Sequence, residues 1–291
     1  MVSSAPAKVR CRPIQDNDLD AVADLLTEGF PDRLRKYWTN GFDRLRLRPA
    51  PEGFAKFGYL LESEGAVVGV LLLIFTGGGE AGTPPRFNLS SWYVREPFRA
   101  HATMLVTMTM KRKDAIYLNS SPLAATLPIL DALGFRLLSS GQFLSAPILS
   151  RRGRAARVVS VAPDTVLAAY PDQAELALLR EHAAQDCLSL VCSDAQGSAP
   201  LVFMRRRIAY APIGVLQLAY CHDTADLARF AGALGQFMLK AGYGLVLCDA
   251  NGPVPGLVGR FFKGKSPKYY RGATAPRIND LTFTEAVVFG P

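Results

Sequence analysis

No apolar run in this chain is long enough to cross a bilayer. The longest, Ala66 to Phe75, is far shorter than the roughly 20 residues a spanning helix needs. The opening residues Met1-Val2-Ser3-Ser4-Ala5-Pro6 hold no apolar stretch of the kind that directs secretion. Cysteine is scarce and odd in number, with Cys11, Cys187, Cys192, Cys221 and Cys248 scattered through 291 residues. Neither a Cys-x-x-Cys pair nor a Cys/His cluster occurs, so no metal is expected and no disulfide framework is implied. Cys221 and His222 are adjacent, but strand neighbours face opposite ways, and buried structural thiols are the expectation. Gly77-Gly78-Gly79 is followed by neither a helix nor a closing Lys-Ser/Thr, so it reads as a loop and not a phosphate cradle. With 49% hydrophobic and 20% charged residues the composition is that of a globular protein, expected in the cytoplasm.

Positive charge is in excess. The formal net charge is +8, and the basic residues gather at Arg151-Arg152-Gly153-Arg154 with Arg157, at Arg205-Arg206-Arg207, and from Arg260 to Arg271. No helix-turn-helix, zinc finger or paired aromatic platform accompanies them, which argues against a nucleic-acid partner. A ligand with several phosphates would satisfy the same charge. The segment Phe261 to Arg271 alternates basic and aromatic residues and reads as a helix exit, a solvated turn and a strand.

The length suggests two domains, here 1–150 and 151–291. The first half reads as strand 9–13, an amphipathic helix carrying Leu19, Val22, Ala23, Leu25 and Leu26, and a second helix over 32–46. A hairpin follows, with strands 56–63 and 66–75 turning through Glu64-Gly65, then strand 86–94. Helix 101–113, a strand at 115–119, helix 123–133 and strand 136–146 complete it, and Ser150 to Arg157 forms a basic linker. The second half reads as helix 172–184, strands 187–193, 200–208 and 213–220, helix 224–241, strand 244–248, helix 254–262, and strands 267–271 and 281–289. Both halves run through a hairpin, a central strand, then helix, strand, helix, strand.

The most informative stretch is Ser90-Ser91-Trp92-Tyr93-Val94-Arg95-Glu96-Pro97-Phe98-Arg99-Ala100-His101-Ala102-Thr103-Met104-Leu105, a strand that passes through an Arg-bearing turn into a helix. The first amides of a helix have no intrahelical partner and its macrodipole is positive there, so such a turn can hold a diphosphate. Val94, Pro97, Phe98, Arg99, Gly134 and Phe135, taken with this element order, resemble the GNAT acyltransferase family. The chain departs from that family at Ala102 and Met104, where the loop usually carries glycines that let a phosphate approach the backbone. The resemblance implies an α/β fold with a mixed sheet, two GNAT-like domains in tandem, and acetyl-CoA or another acyl-CoA as acyl donor.

By that resemblance Tyr93 and Val94 hold the pantetheine arm and thioester carbonyl, with Trp92 on the adjoining pleat. The diphosphate falls to the amides of Ala100, His101, Ala102, Thr103 and Met104, helped by the Arg99 side chain. Asn119, Ser120 and Ser121 stand where the next strand ends and can donate to the coenzyme. The family's acid, a Tyr four residues before the closing Gly-Phe, is replaced by Leu130. Strand 86–94 offers no carboxylate, so the candidate catalytic groups are Glu28, in the first interhelical turn, with Tyr93 and Ser121; Glu62 is a further carboxylate on a nearby strand. After Tyr220 the second half has Cys221-His222-Asp223-Thr224, an acidic helix start that opposes a diphosphate, and reads as a structural partner. The resemblance implies an N- or O-acyltransferase for a small-molecule amine or hydroxyl acceptor. Two alternatives stand beside it: a non-catalytic GNAT-like module that binds acyl-CoA or a protein, and a transferase that takes an aminoacyl group from tRNA.

Overall fold

The computed structural model describes residues 8–78, 83–206 and 214–290, with only the backbone of Ala125. Part of the glycine-rich loop, Arg207, and the facing ends of expected strands 200–208 and 213–220 lie outside them. The chain divides into two compact units. The first holds the residues up to Ser120 with Tyr270–Ala275 and Phe283–Gly290; the second holds Ser121–Tyr269 with Pro276–Thr282.

The first unit begins with β1 (Val9–Pro13), α1 (Leu19–Gly29) and α2 (Arg35–Arg46). It continues through β2 (Gly58–Ser63), β3 (Ala66–Gly77), β4 (Arg86–Val94), α3 (Ala102–Thr109) and β5 (Ile116–Asn119). The strands lie in the order β1-β2-β3-β4-β5, and only the β4 to β5 pairing is parallel. Glu64 and Gly65 both have positive φ, which suits the tight β2 to β3 turn to the twist of its strands. On one face of the sheet, Val22, Leu25 and Leu26 of α1 and Trp38 and Phe42 of α2 pack on Leu60, Val70, Leu72 and Ile74. Each such fully buried side chain contributes about 1.5–3 kcal/mol. The pleat sends Leu61, Leu71 and Leu73 to the other face, and α3 packs on β2 and β3.

The second unit contains α4 (Leu127–Ala132), β6 (Arg136–Ser145), β7 (Arg157–Val161), α5 (Gln173–Ala183), β8 (Leu188–Asp194) and β9 (Gly197–Arg206). Then come β10 (Gly214–Cys221), α6 (Thr224–Arg229), α7 (Ala231–Lys240), β11 (Tyr243–Ala250) and β12 (Gly259–Arg271), whose last two residues belong to the first unit. Its strand order is β12-β6-β11-β10-β9-β8-β7. A short α8 (Glu285–Val288) closes the first unit, where Val288 and Phe289 join the core under α2.

Four sequence expectations are corrected. Strand 136–146 was expected to complete the first sheet; instead β6 pairs with β11, from Gly141 opposite Ala250 to Ser145 opposite Val246. Residues 150–156 are turn and coil, as a linker would be, but they lead into a strand that was not expected, β7, which pairs with β8. Helix 254–262 does not form, because the chain turns at Gly256, whose φ of +85° lies outside the helical region. From Gly259 it runs as strand, with Ala146 N–H bonded to Val258 carbonyl and Gly259 so close to β6 that a Cβ would sit 2.2 Å from the Leu144 carbonyl oxygen. Segment 281–289 is not a strand but leads into α8. The basic-aromatic segment is one long strand, largely exposed, whose Lys268 is buried.

Lys268 explains part of the second unit's design. Its Nζ lies 2.7 Å from the buried Asp249 carboxylate, which also accepts from Gln142 Nε2 at 3.2 Å. Asn279 brackets the same residue, accepting from the Asp249 N–H at 2.7 Å and donating to its carbonyl at 3.0 Å. One buried residue thus ties β6, β11, β12 and segment 276–282. Replacing Lys268 with Met strands the carboxylate, and the expected loss is about 3 kcal/mol by denaturant unfolding. A chain truncated to residues 1–150 lacks Tyr270–Ala275, Phe283–Gly290 and the partner of β6. It should show no cooperative thermal transition, whereas the full chain should melt sharply.

Candidate functional site

Strand β4 carries the site's geometry. Its antiparallel register with β3 slips between Ser90 opposite Leu72 and Tyr93 opposite Val70, so three steps on β4 face two on β3. Ser91, at φ +53°, is the residue that absorbs the difference. On its other side β4 pairs with β5 only at Arg86, Phe87 and Asn88. From Leu89 to Val94 the two strands have parted, and β4 main-chain groups facing β5 are left without that ladder. The hydroxyl of Ser120, one residue past β5, is buried and has no hydrogen-bond partner among the described residues. An unpaired ladder edge beside an unsatisfied buried hydroxyl favours a polar, extended ligand.

The Arg-bearing turn differs from the sequence expectation. Residues Glu96–His101 form a 3-10 helix that runs directly into α3, so α3 has no free-standing start. The Ala102 N–H donates to the Arg99 carbonyl and the Phe98 N–H to the Arg95 carbonyl. Of the amides expected to face a diphosphate, that of Ala102 is thereby bonded within the turn. The side chains remain available to solvent: Arg99 and Thr103 are exposed, as is Ala100, while His101, Ala102 and Met104 are half-buried. Leu130 is buried in α4.

Glu28, Tyr93 and Arg95 meet. Both Arg95 Nε and Nη2 reach the Glu28 carboxylate, at 3.0 and 2.7 Å, and the Tyr93 hydroxyl donates to it at 3.1 Å. The Arg95 guanidinium, and secondarily the Tyr93 hydroxyl, hold the Glu28 carboxyl below its ordinary value. Burial, then Glu28, raises the Tyr93 phenol. Glu28 is therefore a weak base, and Tyr93 keeps its proton. Gly29 makes this approach possible, since a Cβ there would lie 2.3 Å from the Tyr93 ring.

A carboxylate that the sequence reading missed comes from the far end of the chain. Glu285 accepts a hydrogen bond from the buried Ser90 hydroxyl, and Ser90 and Ser91 hydroxyls are 2.9 Å apart. The Glu285 N–H donates to Asn88 Oδ1 at 2.8 Å, which fixes the start of α8 against β4. Asn88, Ser90, Ser91 and Glu285 form one polar row beside the parted strands. Asn119 closes β5 and is half-buried. Ser121 is exposed and belongs to the second unit.

The second unit repeats the arrangement with other residues. Strand β10 pairs in parallel with β11 from Gly214 to Gln217 and then parts from it. Here the chain fills the gap itself: Leu281 N–H donates to the Ala219 carbonyl at 2.7 Å, and Tyr220 bridges Asp280. The buried Glu175 accepts from Tyr220 at 2.8 Å, from Tyr170 at 2.6 Å, and bonds His222. Tyr93-Val94-Arg95 with Glu28, and Tyr220-Cys221-His222 with Glu175, are thus the same device: a strand-end Tyr and a residue two positions on, both held by a helix carboxylate.

Solved structures share this architecture. A GCN5-related N-acetyltransferase from Anabaena variabilis superposes with a TM-score of 0.60 at 12% identity, covering 91% of this chain and 72% of that one. One from Kribbella flavida gives 0.56 at 15%, covering 93% and 72%. Eis1 from Mycobacterium abscessus gives 0.51 at 14%, covering 91% and 73%. The chain has a GNAT-type fold. No family model matches it, and no curated protein does.

In a GNAT-type fold the parted central strand is where the sequence reading put the pantetheine arm, and Trp92, Tyr93 and Val94 do lie on β4 beyond its last β5 partner. The cluster that surrounds Glu28 is distinct in character, being an exposed ion pair. Its folded-state carboxyl is depressed, so its contribution is present above the ordinary carboxylate range and is lost as pH falls from that range through the lowered folded-state value. Both partners are more than a third exposed, so Glu28→Gln should cost under about 1 kcal/mol. The measurement is the urea midpoint from pH 7 downward: the variant should differ slightly at pH 7, and the difference should shrink as the pH falls below the ordinary carboxylate range.

Proposed function

We propose that this chain is an acyl-CoA-dependent acyltransferase, with acetyl-CoA the first donor to test, acting on an amine or hydroxyl of a small molecule in the cytoplasm. The observation that supports it most is the departure of β4 from β5 after Asn88, next to the buried unsatisfied Ser120 hydroxyl. We also read the two units as tandem GNAT-like halves, on the strength of the repeated Tyr, helix carboxylate and nitrogen-bearing side chain two residues after the Tyr. In the second half, Asn279 to Leu281 occupy the strand gap, so the first unit is assigned the donor.

The residues fit the pantetheine arm better than the diphosphate. Acyl-CoA bound there would supply an activated thioester. Main-chain groups of Leu89 to Val94 would orient the arm and its carbonyl, with Asn119 and Ser120 donating from the end of β5. The 3-10 turn must loosen for the Ala102 amide to face phosphate, while Arg99, His101 and Thr103 side chains can reach an anion as they stand. Glu285 is the base: through Ser90 and Ser91 it can draw the proton from an acceptor held beside β4. Glu28, tied to Arg95, shapes the acceptor side without taking that proton. At the position of the family's Tyr acid stands Leu130, which is buried and has no proton to give.

Two observations favour a second reading, a non-catalytic acyl-CoA-binding module: the Ala102 amide is already bonded within the turn, and Leu130 stands where the family carries its acid. A thermal-shift titration with acetyl-CoA, longer acyl-CoAs and free CoA tests binding, since a ligand of the folded state raises the melting temperature. A saturable rise that Arg99→Glu removes supports the assigned site, and a rise unchanged in that variant rejects the turn. Thiol release from acetyl-CoA over a panel of primary amines and alcohols tests chemistry. Glu285→Gln should keep the thermal shift and lower turnover roughly 10²–10⁴-fold; binding with no turnover in the native chain would leave the module reading.

A further inference from the structure

A cleft of about 220 Å³ opens in the first unit at the start of β5, away from the parted end of β4 and β5. Its walls are Met110, Arg112, Lys113, Tyr117, Arg271 and Gly272, with three cations and no carboxylate among them. Arg112 is fixed. It grips Asp114 with two nitrogens, at 2.9 and 2.6 Å, and its guanidinium stacks 4.7 Å from the centre of the Phe54 ring. Its carbonyl accepts the Tyr117 hydroxyl at 2.9 Å, so the tyrosine is held as an apolar wall with its polar tip already used. Burial pushes the Tyr117 phenol up to about 12, which keeps that wall uncharged.

Arg271 is different. It is half-buried, and the partner it has is the Met110 thioether at 3.5 Å, a weak acceptor. Among the described residues no carboxylate lies within ion-pair distance of Arg271 or of Lys113. Counting Asp114 against Arg112, the cleft carries two uncompensated positive charges. A guanidinium fork with its acceptors missing, over a floor of thioether and aromatic ring, matches an oxyanion joined to a flat apolar body. The volume corresponds to roughly seven waters, room for an aryl phosphate or aryl carboxylate and not for a nucleotide.

We infer that this cleft is a binding site for a small aromatic oxyanion, gripped by Arg271 and Lys113 and seated on Met110 and Tyr117. The inference does not depend on acyl transfer. The test uses the full chain with its methionine methyls labelled with carbon-13, the Met110 signal being assigned with Met110→Leu. Phenyl phosphate and benzoate are titrated, with phenol as the neutral control and inorganic phosphate as the bare anion. The Met110 methyl should shift saturably with one of the two aryl anions, at a Kd near or below about 1 mM. The tighter of the two identifies the oxyanion, and phenol and inorganic phosphate should act far more weakly.

Arg271→Gln should weaken binding about tenfold, the loss of one charge-assisted fork, with the melting temperature showing whether it folds. Lys113→Gln, at an exposed position, provides the same test with no folding demand and should weaken binding several-fold. A Met110 signal unmoved by both aryl anions would overturn the site. So would equal affinity in both variants, or a phenol response that matches the anions.

Discussion

A strand that leaves its neighbour inside a sheet creates amides and carbonyls that must be paired elsewhere, because unpaired buried main chain costs as much as a lost hydrogen bond. Both units of this protein contain such a departure, after Asn88 on β4 and after Gln217 on β10. The second unit satisfies it internally with segment 279–281, and Asp249 locks that segment through Asn279. In the first unit no such segment spans the gap among the described residues beyond the Asn88 amide, which donates to the Leu89 carbonyl, and the residues that gather there, Asn88, Ser90, Ser91 and Glu285, are polar. The same architectural problem is closed in one half and turned outward in the other. That difference, more than any single side chain, is what the proposal of a ligand in the first unit rests on.

The buried network around Asp249 and the exposed knot around Glu28 illustrate two uses of charge. Asp249 and Lys268 are almost wholly removed from water, so their pairing specifies which segments meet even where its net stabilisation is small. Glu28 and Arg95 are partly solvated, which screens their attraction. What the second pair does is set a state: the Arg95 guanidinium keeps Glu28 ionised, while Tyr93 is held protonated chiefly by burial and then by Glu28.

Much of the fold was legible because local patterns agreed with it. The helical spacing of Leu19, Val22, Leu25 and Leu26 marks α1, and Glu64-Gly65 marks the hairpin. What escaped the sequence are pairings set by distant segments. Nothing in Arg136 to Ser145 says that its partner is β11, since its alternation suits either sheet edge. Phe261 and Phe262 have helix-compatible spacing, yet the closeness of Gly259 to the Leu144 carbonyl makes the segment a strand. Within the site, Tyr93 and Glu28 could be brought together by reasoning on strand end and interhelical turn. Glu285 could not, because it reaches β4 only through tertiary contact across almost 200 positions of chain. One signal was available and unused: Tyr93-Val94-Arg95-Glu96 and Tyr220-Cys221-His222-Asp223 share a pattern of aromatic, apolar, basic and acidic residues.

The membership of Tyr270–Ala275 and Phe283–Gly290 in the first unit has a consequence for biosynthesis. Translation delivers β1 to β5 early, but the residues that finish their sheet edge and seal the core beneath α2 emerge only after nearly all of the second unit has been made. Throughout that interval the growing polypeptide carries an unpaired β5 edge and an open apolar surface around Trp38 and Phe42, the kind of exposure that chaperones bind. Maturation of the N-terminal half is therefore timed by completion of the C-terminal half, and the two reach their native state together.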